Sequence, residues 1–108
     1  MKRQPRDSIR SLAMYLRKAC PPPHPVRVRR TKLGPNVAGD SLPGIIRISN
    51  EFSETIQLET LVHEFAHQLA PPGYKDHSQA FWLAHGRVYD AFLDWMRKCG
   101  CWPDDSAQ

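Results

Sequence analysis

Apolar positions along the chain fall into five patterned runs separated by proline, glycine and charge. Ile9, Leu12, Ala13 and Leu16 recur at helical spacing behind Asp7 and Ser8, either of which can cap a helix. Pro21, Pro22 and Pro23 end that helix near Cys20, because proline cannot donate the next helical hydrogen bond. From Val26 to Leu33, valines alternate with arginines as in a half-exposed strand. Gly34, Pro35, Asn36, Gly39 and Asp40 read as a loop, and Ile45, Ile46 and Ile48 as a short β-branched strand. Pro43 just before it suggests an edge position.

The fourth run is the most regular. Leu58, Leu61, Val62, Phe65, Ala66 and Leu69 sustain an amphipathic stripe, with Ser53 as cap and Pro71, Pro72 and Gly73 as terminator. The fifth, Phe81, Ala84, Val88, Phe92 and Trp95, predicts a helix from about Asp76–Ser78 to Lys98, with Gly100 as its stop. The expected fold is α+β: a small, mostly antiparallel sheet packed on the fourth-run helix, with an N-terminal helix and a long C-terminal helix. Trp95 lies on the core stripe and Trp82 at its border. Trp102 could cap the domain, and all three tryptophans are expected to pack.

With 108 residues, the chain has room for one core and not two. A single domain over 1–108 is expected: a basic helix at 7–20, a main body at about 25–98 and a short acidic tail at 102–108. The longest apolar run, Leu12 to Leu16, is too short for a membrane span or an export signal, so a cytoplasmic protein is expected. Cys20, Cys99 and Cys101 are an odd set with no zinc-knuckle spacing, and reduced thiols are expected.

Charge divides the chain. Residues 1–47 hold eleven Lys/Arg against Asp7 and Asp40, while residues 48–108 hold four against nine acids. Arg27, Arg29, Arg30 and Lys32 are either a solvated face or a surface for DNA phosphates. No aromatic residues interleave with them as a single-strand stacking platform would need.

The chemistry lies in His63-Glu64-Phe65-Ala66-His67. Histidines four apart on a helix are offset by about 40° and one turn, so both imidazoles can reach one ion. The pair lies roughly opposite the Leu58/Phe65/Leu69 stripe and is expected outside the core. Glu64 on the same turn can take the proton of a metal-bound water and pass it to a leaving amine. A catalytic zinc needs a third protein ligand. No glutamate follows Glu64, and Ala70 and Gly73 break the metzincin spacing. His77, His85, Asp76, Asp90 and Asp94 remain. His77 is favoured, because a turn after His67 returns the chain to it at a helix start. His85 fits better as a packed or supporting histidine, and His24, between prolines, as a loop residue. Tyr74, His85 and Tyr89 are candidate oxyanion donors.

The runs Gly44-Ile-Ile-Arg-Ile-Ser-Asn-Glu-Phe-Ser, Leu58-Glu-Thr-Leu-Val-His-Glu-Phe-Ala-His and His77-Ser-Gln-Ala-Phe81 resemble the SprT-like metallopeptidases, which include the Spartan-type proteases of DNA–protein crosslink repair. Ser78 in place of glycine is closer to the related YgjP-like branch. The resemblance covers about residues 25 to 97. It implies a minimal zincin fold with Ile45–Ser49 as the edge strand beside the cleft, Zn2+ on His63, His67 and His77, and Glu64 as general base. The implied activity is hydrolysis of protein or peptide substrates, including DNA-associated proteins. Two other readings compete: an ImmA-like regulatory protease that cuts one repressor, and a non-catalytic, zinc-stabilised nucleic-acid-binding module.

Overall fold

The computed structural model describes residues 7–70 and 77–99. It is a small α+β domain of three helices and a three-stranded mixed sheet: α1 (Ser8–Ala19), β1 (Arg27–Thr31), β2 (Gly39–Leu42), β3 (Ile45–Ser49), α2 (Glu54–Leu69) and α3 (Gln79–Cys99). None of its helices is long and apolar enough to cross a membrane. The tail at 102–108, Trp102, Cys101, Gly100 and the Pro71–Gly73 terminator lie outside the described residues.

Each helix start has its own cap. The Asp7 side chain accepts from the N–H of Arg10, which frees Ser8 to donate to the Glu54 carboxylate and join the starts of α1 and α2. Ser53 accepts from Ile56 at the start of α2, and Ser78 from Phe81 at the start of α3.

The sheet departs from expectation in three ways. Its order is β1-β3-β2, with β1 parallel and β2 antiparallel to β3. Ile45–Ser49 is therefore the central strand, the sheet is mixed rather than mostly antiparallel, and Gly39–Leu42 is an edge strand and not a loop. The parallel pairing of β1 makes the sheet mixed, and the pair Pro43-Gly44 adds β2 on the other side of β3. Gly44 has φ +78°, the conformation that the second position of a proline-led type II turn demands, and the turn folds β2 back along β3. Pro43 thus sits in the turn, where its missing N–H costs the sheet nothing, and so it does not mark an edge strand.

Helix α2 lies against one face of this sheet, and α1 and α3 pack on α2 and on each other. Ile46 and Ile48 of β3 are fully buried, and α2 packs on both β2 and β3 as well as on α1 and α3. The core continues through Leu12 and Leu16 of α1, Phe65 of α2 and Phe81 and Trp95 of α3. Trp95 satisfies its indole N–H on the Ser11 hydroxyl at 3.1 Å. Tyr15 and Lys98 both donate to Asp94, clasping α1 to α3 well away from the histidines. Trp82, in contrast, is 54% exposed and is not a packing residue. Cys20 is a free, buried thiol.

One buried amide ties the hairpin to α2. Gln68 is wholly buried; its Nε2 donates to Ser41 Oγ and to the Leu42 carbonyl, both at 2.6 Å, and its Oε1 accepts from Gly44 N–H at 3.1 Å. Ser41 Oγ in turn donates to the backbone carbonyl of Glu64 at 3.3 Å. Gln68→Ala strips three hairpin groups of their partner, and a loss of about 2–3 kcal/mol is expected. Urea unfolding checks it, and a loss below about 1 kcal/mol would mean that water replaces the amide.

Candidate metal centre

His63 and His67 project from α2, and His77 lies two residues before the first residue of α3. One ligand-type atom from each falls within 4.8 Å of the others, and these three form the only such group among the described residues. The ring centroids stand 5.0 to 5.1 Å apart in all three pairs. His63 Nε2 and His77 Nε2 are 3.2 Å apart, near the ~3.3 Å separation that two nitrogens take around a tetrahedral zinc at about 2.0–2.1 Å from each. An all-imidazole donor set suits a borderline transition metal and not calcium or magnesium. The residues present fit such an ion.

Packing brings the third histidine in. Phe81 is fully buried and stacks obliquely under the cluster, with its ring 4.4 Å from that of His67, 4.7 Å from His77 and 5.0 Å from His63. This contact also corrects the expectation that both helix histidines lie outside the core. His67 is only 4% exposed, because α3 covers the side of α2 that its own apolar stripe leaves free. His63 remains half-buried.

Burial sets the protonation states. Desolvation, followed by the neighbouring His67, His77 and His85, lowers the His63 pKa to about 4, so its ring is neutral at physiological pH, the form a metal requires. Desolvation, reinforced by the charge of Asp40, raises the Glu64 carboxyl to about 7. Asp40 is held in place by a bidentate pairing with Arg47 across the β2–β3 ladder.

Glu64 lines a 430 Å³ cavity together with His63, Ile56, Glu59 and Thr60 of α2; residues Asn36 to Gly39 form the facing wall. Gly39 is obligatory in that wall. A Cβ there would stand 2.6 Å from Thr60 Cγ2 and 2.7 Å from the Arg47 carbonyl, so only glycine lets β2 press this close to α2.

The other proposed donors fall away from the cluster. His85 is not part of it, though its ring is 6.1 Å from that of His63 and stacks on Tyr89. Burial lowers the His85 pKa. Asp94 is committed to Tyr15 and Lys98, Asp90 stands outside the cluster, and His24 is a half-buried loop residue beside the Pro25 carbonyl. Asp76 and Tyr74 lie outside the described residues. The sequence reading missed Gly39, Asp40, Ser41 and Gln68. The two-residue Pro43-Gly44 link between apolar positions was the signal that could have found their strand. Comparison with protein-family models, characterised proteins and solved structures gives no match to this chain.

The raised Glu64 carboxyl has a measurable consequence in the metal-free protein. Its folded pKa, about 7, exceeds the ordinary value of 4.5, so the native state binds more protons between those limits. Stability is therefore lost as pH rises from about 4.5 to 7. Glu64→Gln removes that loss. The metal-free variant is expected to match the wild type near pH 4.5 and to exceed it by about 1–2 kcal/mol above pH 7, after allowance for the water that reaches the carboxyl. Urea midpoints at pH 5 and 8 check the sign; an equal difference at both would show that Glu64 titrates normally.

Proposed function

We propose that this chain is a zinc-dependent metallopeptidase of SprT-like type, hydrolysing peptide bonds in protein substrates. The observation that supports it most is the meeting of His63, His67 and His77, with ligand atoms within 4.8 Å, beside a cavity that Glu64 lines. Zinc held by the three imidazoles would supply a polarised scissile carbonyl and a water acidified towards neutral pH. Glu64 is the general base. Its carboxylate accepts the proton of the attacking water and returns it to the departing amine. Ser41, through its bond to the Glu64 carbonyl, and Gln68, through Ser41, hold that turn of α2 in register with β2. Because β2 is the edge strand bordering the cavity, it takes the role expected of Ile45–Ser49: extended substrate pairs along it.

DNA contact through the first half belongs to the same proposal. A 660 Å³ groove between α1 and β1 is lined by Arg10, Arg17 and Arg30, with Asp7 paired to Arg30. Such a surface favours phosphates in a salt-dependent way. Purified protein should contain one zinc per chain and cleave casein. Chelation should abolish cleavage, added zinc should restore it, and single-stranded DNA should increase it at low salt. Absence of zinc would overturn the reading. Zinc without casein cleavage would favour the repressor-specific or non-catalytic alternatives.

A further inference from the structure

The large apolar side chains left exposed on this protein are not scattered. Among the described residues there are seven, and five of them, Val37, Ile56, Trp82, Leu83 and Tyr89, line just two cavities. Both lie beside the histidine cluster, though only one of them is lined by a member of it. One, of 430 Å³, contains His63 and Glu64 and is flanked by Val37 and Ile56. The other, of 480 Å³, lies along α3, where the Trp82 ring stands 5.7 Å from that of His77 and His85 stands 6.1 Å from His63. Exposed apolar surface gathered in this way marks a binding site, whereas isolated exposed residues are ordinary.

Gly86 belongs to the second cavity. It sits inside α3, where glycine gives up helix stability relative to alanine, yet a Cβ placed on it would meet nothing within 4 Å. No packing within the described protein accounts for it. Its missing side chain keeps open the floor of the second cavity between Trp82 and Tyr89, as close approach by a ligand requires.

We infer that the two cavities are side-chain subsites for an extended polypeptide whose large apolar residues stand on both sides of the bond presented to Glu64. This rests on the peptidase reading and names its substrate class: unfolded segments rich in leucine and aromatic residues, as opposed to charged surface loops. A second copy of this chain fits less well. It would have to cover Glu64 and the imidazoles lying between the two apolar patches, and a flat apolar partner leaves those groups without partners. A polypeptide brings its own carbonyl and N–H groups to them.

The test uses the zinc-loaded Glu64→Gln protein and two decapeptides, one with leucine and phenylalanine flanking a central Ala-Gly and one with serine in both places. Calorimetric titration should give about tenfold tighter binding of the apolar peptide. Trp82→Ala and Ile56→Ser should each remove about fivefold of that preference, and Met14→Ala, exposed in the separate α1–β1 groove, should leave it intact. Equal affinities, or a preference that survives both variants, would overturn the inference. So would sedimentation showing a dimer that Trp82→Ala dissociates. Cleavage of the same peptides by wild type separates the two claims. Preferential binding with neither peptide cut sinks the peptidase reading and leaves the surface; cleavage of both at equal kcat/KM sinks the surface and leaves the peptidase.

Discussion

Glu64→Gln should retain one zinc per chain and cleave casein about a thousandfold more slowly than the wild type. The substitution keeps the shape of the side chain and replaces a proton acceptor with an amide that cannot take a proton from water. Nothing else in the site has reason to move: the Ser41 bond is to the backbone carbonyl of residue 64, and the three ligand atoms belong to histidines. The variant also separates the competing functions. A zinc-stabilised nucleic-acid module would bind DNA equally well with glutamine at this position and show no cleavage in either form. A protease dedicated to one partner would leave casein intact in both forms while the wild type alone cut that partner. Casein cleavage by Glu64→Gln at more than about a tenth of the wild-type rate would remove Glu64 from the mechanism.

Much of this site was legible because its geometry is local. His63, Glu64 and His67 fall within two turns of one helix, and the regular stripe from Leu58 to Leu69 fixes where those turns point. His77 was legible for a related reason, since a helix that ends after Leu69 and another that starts near residue 79 return the chain close to His63 and His67. What stayed hidden depends on pairing between distant segments. Gly39-Asp40-Ser41 looks like a turn by composition, and becomes a strand only because Pro43-Gly44 folds it onto β3. Strand order likewise cannot be read from β3 alone, because its parallel neighbour β1 precedes it by a long connection. The burial of His67 also eluded a single-helix projection, which locates a residue relative to its own stripe and says nothing of what α3 lays across the other side. Gln68 is the same case: a polar position on a helix face, made structural by a hairpin invisible at the level of the helix.

Phe81 is where the core and the candidate metal site share one side chain, and Phe81→Ala should damage both. The ring is fully buried and within 5.0 Å, centroid to centroid, of each of the three histidine rings. Truncating a buried phenylalanine costs about 3–5 kcal/mol, a large part of the ~5–15 kcal/mol that holds a domain of this size folded. The cavity left behind would lie directly against the imidazoles, freeing them to rotate away from a common centre. Zinc affinity should therefore fall about tenfold to a hundredfold, as it does when groups that orient metal ligands are lost. Phe92→Ala provides the control, because Phe92 is also buried in α3 but packs on Trp95 and Tyr89. It should lose comparable stability, measured without zinc, and keep near wild-type affinity for zinc under conditions where both variants are folded. Binding stabilises the folded state in proportion to ligand concentration over Kd. Zinc should accordingly raise the urea midpoint of Phe92→Ala as much as that of the wild type, and that of Phe81→Ala much less. Equal zinc affinity in the two variants would mean that the histidines are held by α2 and the α3 backbone alone, and that Phe81 serves the core without serving the site.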